Sequence, residues 1–221
     1  MNGVNALDID ISIRTLPVLL QGCVMTVELT VITLVMGTVL GILFALMRLS
    51  NNIVLSQISN FYTWIIRGTP MLLQLFFFYY GLPSVGIRMT PFQAAVIGLG
   101  LNSGAYMAEI IRGGILSIDK GQFEAAKALG FSYTETMQKI ILPQTFKVII
   151  PPVGNEFITI LKDTSLVSTI AMVELMRSAQ QMYASTFKPI EIFATAAVLY
   201  LIMTTVFTTI FSVYEKKLSV Y

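Results

Sequence analysis

Polar residues in this chain gather into short clusters, and between them run apolar stretches long enough to cross a bilayer core of about 30 Å, which takes roughly 20 helical residues. Residues 17–47 are apolar apart from Gln21, Glu28 and several threonines, and Pro17 suits the first turn of a helix. After the break Arg48-Leu49-Ser50-Asn51-Asn52 comes a second stretch, 53–80, interrupted by Arg67-Gly68-Thr69-Pro70, which predicts a kink or break at Pro70. Residues 81–90, with Pro83 and Gly86, read as a short external loop. The third span, 91–111, is rich in glycine and alanine, small residues that let helices approach closely. A polar stretch, 112–139, leads to an apolar run, 140–161, interrupted by Pro143, Pro151 and Pro152 and therefore predicted to be short and bent. The cleanest span, 192–214, is closed by Glu215-Lys216-Lys217. Five spans in one transmembrane domain covering residues 1–221 make an all-α integral membrane protein. Residues 162–188 mix Leu166, Ile170, Val173, Leu175, Met176 and Met182 with polar positions, the pattern either of an amphipathic segment on the bilayer surface or of a packed loop helix.

Composition agrees with the membrane as solvent: 55% of the 221 residues are hydrophobic and 12% are charged, where a soluble domain has about a quarter. A net charge of +2, scattered along the chain, excludes a nucleic-acid partner. Cys23 is the only cysteine and histidine is absent, which rules out an intrachain disulfide and removes the commonest metal ligand and general base. No metal site is expected. The first sixteen residues carry Asp8, Asp10 and Arg14 without a basic start or a cleavage site, so they are expected to be retained. Across five spans, Arg48, Lys120, Lys127, Lys139, Lys147, Lys216 and Lys217 fall on one side, against Arg14, Arg88, Lys162, Arg177 and Lys188 on the other. Positive charge favours the cytoplasm, which places the amino terminus outside and the carboxyl terminus and the 112–139 loop inside. Neither an internal repeat nor an inverted pair of halves is found, so a translocation path calls for a second copy or a paralogue.

Within the cytoplasmic loop, 122–129 is made of good helix formers and Gly130 stands where a left-handed cap would end a helix. Ala125 and Ala126 leave one surface with little bulk, suited to a groove on another protein. Glu124-Ala125-Ala126, three residues, Gly130, nine residues, Ile140, one residue and Leu142-Pro143 together resemble the complete EAA signature of ABC importer permeases. Arg67-Gly68-Thr69-Pro70, Ala105 through Gly114 and Lys162-Asp163-Thr164-Ser165-Leu166 are similar to the polar amino acid permeases of that superfamily (histidine, arginine, lysine, glutamine, glutamate and opine uptake). The resemblance implies the type I importer permease fold, with Gln122, Glu124, Ala125, Ala126, Leu129 and Gly130 of the coupling helix seated in a cleft of a separate ATPase subunit. It further implies an extracellular solute-binding protein, the bacterial plasma membrane, and alternating access driven by ATP hydrolysis. The chain lacks a Gly-x-x-x-x-Gly-Lys-[Ser/Thr] loop, so ATP and magnesium belong to the partner and this chain is neither catalytic nor cofactor-bearing.

Ionisable groups at membrane depth are costly unless they face a cavity or a partner, which singles out Glu28, Glu109, Glu156 and Asp163. Glu156 and Asp163 are two helical turns apart and would share a face with Thr159 and Ile160. Two carboxylates on one path favour a cationic ligand, with Thr69, Asn102 and Ser103 supplying hydroxyls and an amide. The expected cargo is a basic amino acid (Arg/Lys/His). The alternative leaves Asp163 as structural glue with Lys162 or Arg177 and Glu156 on the α-amino group common to all amino acids, which admits glutamine or glutamate. A channel or secondary carrier without an ATPase is the rival that composition alone allows, and the loop argues against it. Glu109 and Arg112 are placed to pair on one helix face, Arg67 either reaches an interface or pairs with an acid, and Phe76 to Tyr80 form an aromatic cluster read as packing or an interfacial belt. Glu28 has no assigned role.

Overall fold

The computed structural model describes residues 8–218, and no strand occurs among them. Nine α-helices follow in order: α1 (Ile9–Leu49), α2 (Ile53–Arg67), α3 (Met71–Phe76), α4 (Pro91–Leu116), α5 (Lys120–Ala128), α6 (Tyr133–Thr136), α7 (Leu142–Asp163), α8 (Leu175–Thr186) and α9 (Pro189–Leu218). Of these, α1, α4 and α9 are each long and apolar enough to cross a membrane. The five apolar runs of the sequence fall on α1, α2–α3, α4, α7 and α9.

Boundaries differ where local chemistry overrides the hydropathy pattern. Helix α1 starts eight residues before Pro17, because Asp8 accepts a hydrogen bond from the Ile11 N–H (3.4 Å) and Asp10 pairs with Arg14 one turn on (2.7 Å). Pro17 therefore lies inside α1, not in its first turn. The predicted break in the second span is present: α2 ends at Arg67, Gly68 caps it, and the extended Pro70 starts α3. Helix α4 runs to Leu116, past the predicted end at 111. Helix α7 runs as one element through Pro151 and Pro152; prolines are tolerated in membrane helices when neighbouring groups satisfy the freed carbonyls.

Two wide π turns, Phe77–Gly81 and Met137–Ile141, each end two residues before a proline, at Leu82-Pro83 and Leu142-Pro143. Proline has no N–H and its ring clashes with the carbonyl four residues back. In each case the leucine N–H instead reaches five residues back, to Phe77 O and Met137 O, and the widened turn makes room for the ring.

Two compact units make up the chain. The first comprises residues up to Leu34, Pro70–Gly100 and Ile158–Phe207. One of its cores joins Leu29, Leu75, Ala94, Leu99, Val167 and Ile170; the other joins Leu19 of α1, Leu175 and Ala179 of α8, and Ile192, Ala196 and Leu199 of α9. Gly22 permits the second contact, since a Cβ there would stand 2.7 Å from the Leu175 Cα. Of the two readings for residues 162–188, the packed one holds: the turn Thr164–Ile170 and α8 bury Val167, Ile170, Leu175 and Ala179 in protein.

The second unit comprises Val35–Thr69, Leu101–Phe157 and residues from Thr208 onward. Here Gly37 and Gly41, one turn apart on α1, let α4 approach so closely that a Cβ at Gly41 would lie 2.5 Å from that of Met107. Phe44 stacks on Tyr62 at 3.9 Å, and the Tyr62 hydroxyl donates to Leu101 O at 2.6 Å. Ile115, Ile118 and Ile141 form its core, with Leu49, Ile111, Phe123 and Met137 packed against them.

Candidate coupling helix and path residues

Helix α5 occupies the predicted position. Asp119 caps it by accepting the Gly121 N–H at 2.6 Å. At the other end Gly130 adopts φ +82°, and the N–H groups of Gly130 and Phe131 return to Lys127 O and Ala126 O, both at 3.0 Å. That is a glycine-capped helix end of the kind the sequence called for. Gln122, Glu124, Ala125, Leu129 and Gly130 are exposed, and Leu129 is 76% accessible; Ala126 turns inward at 1%. Of the six predicted docking residues, five are exposed, while Ala126 is buried. Phe123 also points inward, into the Ile115–Ile118–Ile141 core.

Behind α5, the short α6 carries a reciprocal cap. Ser132 Oγ accepts the Glu135 N–H (3.3 Å), and Glu135 accepts the Ser132 N–H (3.1 Å) and hydroxyl (2.8 Å). Lys139 adds an ion pair at 3.1 Å and lies 5.5 Å over the Phe131 ring. These donors, the Ser132 N–H first, pull the Glu135 carboxyl down from its ordinary 4.5 to about 2.

The predicted path residues are partly assembled. Glu156, Thr159 and Asp163 all lie in the C-terminal half of α7; Glu156 is buried at 8% exposure, Thr159 is exposed and Asp163 is half-buried. Thr69 sits in the break after α2 and donates to Ile65 O at 2.9 Å, a helix-ending bond. Ser103 is buried on α4 beneath Gly37, with its hydroxyl unbonded, and Asn102 beside it is half-buried. Ser103 is thus committed to close packing of α4 on α1.

Other polar groups sort into structural roles. Arg112 grips Glu109 through Nη2 (2.7 Å) and Nε (3.1 Å), as the spacing predicts, and Arg67 approaches the same carboxylate at 4.0 Å while lying 5.1 Å over the Tyr106 ring. The aromatic run packs on itself, with Tyr79 and Tyr80 edge-to-face at 4.8 Å and the Tyr80 hydroxyl donating to Thr169 O. Among the described residues no three acids or cysteines are grouped to hold a metal.

One node escaped sequence reading. Glu174, fully buried, caps α8 by accepting the Met176 and Arg177 N–H groups, both at 2.8 Å, and also accepts the hydroxyls of Tyr200 (2.8 Å) and Thr26 (3.4 Å). It ties α8 to α1 and α9. An acid directly before a helical run was the available signal, obscured because Glu174 lies outside the apolar stretches.

Among the described residues three helices are long and apolar enough to cross a membrane and a capped loop helix stands exposed, features that fit a membrane transport component. Residues 37–220 match the family of binding-protein-dependent transport system inner membrane components, and the chain belongs to it. It is 41% identical to the arginine transport system permease protein of Bacillus subtilis (strain 168), covering 96% of this chain and 97% of that one. The glutamine transport system permease protein of Escherichia coli (strain K12) is 40% identical over 93% of this chain and 94% of its own length. A crystallised amino acid ABC transporter with histidines superposes at a TM-score of 0.90 with 38% identity, over 93% of this chain and 96% of that one. The type I importer fold is therefore present, and the chain is a transport component, with ATP hydrolysis on a separate subunit.

Proposed function

We propose that this chain forms the translocation path of an ATP-driven importer of polar amino acids, with basic ones (arginine, lysine, histidine) as cargo. The observation that carries the basic reading is the pair of carboxylates, Glu156 and Asp163, two turns apart on one helix. Similarity to an arginine permease supports it. The nearly equal identity to a glutamine permease keeps a second reading, in which the same acids meet only the α-amino group.

In the mechanism, α5 docks in a cleft of the ATPase subunit through Gln122, Glu124, Ala125, Leu129 and Gly130, with Ala126 packed beneath. Closure of the ATPase pair moves α5. Phe123 passes that motion to Ile115 at the end of α4 and Ile141 at the foot of α7. Because α7 is one helix of about 33 Å, tilting its foot displaces Glu156, which alternates the side to which the path opens. A second permease chain completes the path, a solute-binding protein delivers cargo from outside, and the amino terminus faces outward.

The test is ATPase activity of the permease reconstituted with its nucleotide-binding subunit, the cognate binding protein and a panel of amino acids. Stimulation by arginine, lysine or histidine and not glutamine is expected. Glu156→Gln should lower the response to cationic cargo selectively; equal loss for neutral and cationic cargo refutes its role in charge recognition.

A further inference from the structure

Two segments that resemble permease motifs meet in space: Arg67, which opens Arg67-Gly68-Thr69-Pro70 at the end of α2, and Tyr106, Glu109 and Arg112 on α4. Arg112 spends its Nε and Nη2 on one oxygen of Glu109. Arg67 is left over. It reaches the same oxygen only at 4.0 Å, lies over the Tyr106 ring, and donates no hydrogen bond among the described residues. Arg48, whose Nη1 donates to Ser56 O at 3.2 Å, adds a third positive charge to the field at Glu109. Three guanidiniums thus bear on one carboxylate, and Glu109 offsets the charge of only one of them. The N–H donors of Arg67 are unspent.

A surplus of positive charge with a planar fork of donors fits the oxygens of a phosphate, which a guanidinium can grip through two parallel hydrogen bonds. What carries the phosphate follows from the neighbouring surface of α2. That helix is turned inside out. Ser59 and Thr63 are buried, with their hydroxyls on the backbone oxygens of Phe44 (2.7 Å) and Ser59 (3.1 Å), whereas Ile58, Phe61 and Trp64 are exposed. The Phe61 and Trp64 rings lie 6.0 Å apart, and Trp64 is one turn before Arg67. In a chain of an inner-membrane family, an apolar strip that ends at a guanidinium with unspent donors complements a phospholipid along its length, tails first and headgroup last. A soluble anion would match the charge and leave the strip unused. We infer that Arg67, with Arg112 and Arg48 beside it, binds the phosphate of an anionic membrane lipid whose acyl chains lie along Phe61 and Trp64.

The permease in complex with its ATPase subunit is delipidated in mild detergent and titrated with phosphatidylglycerol, which is anionic, or phosphatidylcholine, which carries a phosphate without net charge. Lipid retained per chain is read by native mass spectrometry, and the melting-temperature shift that each lipid gives is read alongside. Wild type holds phosphatidylglycerol the more tightly. Arg67→Gln weakens that binding by about tenfold, the scale of one charged hydrogen bond, and Arg67→Lys, which keeps the charge without the fork, falls between the two. Trp64→Ala, at a position that is 69% exposed, weakens it about threefold with the charges intact. Arg88→Gln, an exposed arginine outside this cluster, leaves it unchanged. Each shift is taken against the same variant without lipid, so a variant that is merely less stable still reports. A phosphatidylglycerol shift in Arg67→Gln as large as in wild type overturns the inference, as does equal retention of the two lipids by wild type. Displacement of phosphatidylglycerol by millimolar inorganic phosphate also overturns it, since the site would then take a free anion.

Discussion

Replacing Glu174 tests whether a single buried carboxylate holds α8 in place. In Glu174→Ala the N–H groups of Met176 and Arg177 lose their cap, a change worth about 1 kcal/mol at a helix start. The half-buried Tyr200 hydroxyl, bonded to Glu174 at 2.8 Å, is left without its acceptor, at a further cost of roughly 1–3 kcal/mol. Thr26 loses a weaker contact at 3.4 Å. The total is about 2–4 kcal/mol. Glu174→Gln should cost less, about 1–2 kcal/mol, because one amide oxygen can still serve Met176 and Tyr200 while its NH2 opposes the Arg177 N–H. For a chain of this size the alanine variant should melt on the order of 10 °C lower in detergent. Tyr200→Phe removes the orphan donor, so the double variant Glu174→Ala/Tyr200→Phe should be less destabilised than the sum of the singles. A Glu174→Ala shift under about 2 °C, or strict additivity with Tyr200→Phe, would refute the idea that these groups form one network.

Two further predictions concern the coupling segment. Gly130→Ala meets no atom within 4 Å but must hold φ +82°, at a cost of roughly 1–2 kcal/mol, so α5 should lose order and cargo-stimulated ATPase activity should fall severalfold. Gly130→Asn, which tolerates that conformation, should recover most of it; equal loss in both would mean that side-chain bulk at the docking surface and not backbone conformation is responsible. The Glu135 carboxyl should titrate near 2 by NMR. Its depressed value means that the cap is intact above about 4.5 and is lost as pH falls through about 2, and Ser132→Ala should move the titration back toward 4.5. No movement would show that the capping box is not what holds it down.

The helices themselves were legible because each depends on local information: apolar runs of the right length, the Asn51-Asn52 break, and Gly130 at a cap. Asn52 does cap α2, accepting the Val54 N–H at 2.9 Å. What escaped depends on residues far apart in the chain. Glu174 meets Thr26 and Tyr200 from 148 and 26 residues away, and no periodicity encodes that. Ser103 looked like a path hydroxyl by its polarity, yet Gly37 on another helix decides that it is packed. The prolines at 151 and 152 do not end α7, although intrinsic propensity alone disfavours them inside a helix.

The motif that identified the loop has two halves, and the structure assigns them different physical work. Glu124 to Gly130 builds the exposed, capped helix. Ile140-Ile141-Leu142-Pro143 anchors the segment instead: Ile141 is fully buried, and Pro143 forces the π turn that joins α6 to α7. A joint transmits motion only if it is stiff. Widened turns are ordinarily weak points in a helix, but here the turn is locked by Ile141 against Ile115, Ile118 and Phe123, the last reaching back from α5 itself. Helix α5, the turn and the foot of α7 are therefore packed through a single core and should move as one piece. On this reading the Leu-Pro pair lies so far from the Glu-Ala-Ala run because the intervening residues must fold back, through the Ser132–Glu135 cap, to bring Ile141 under Phe123.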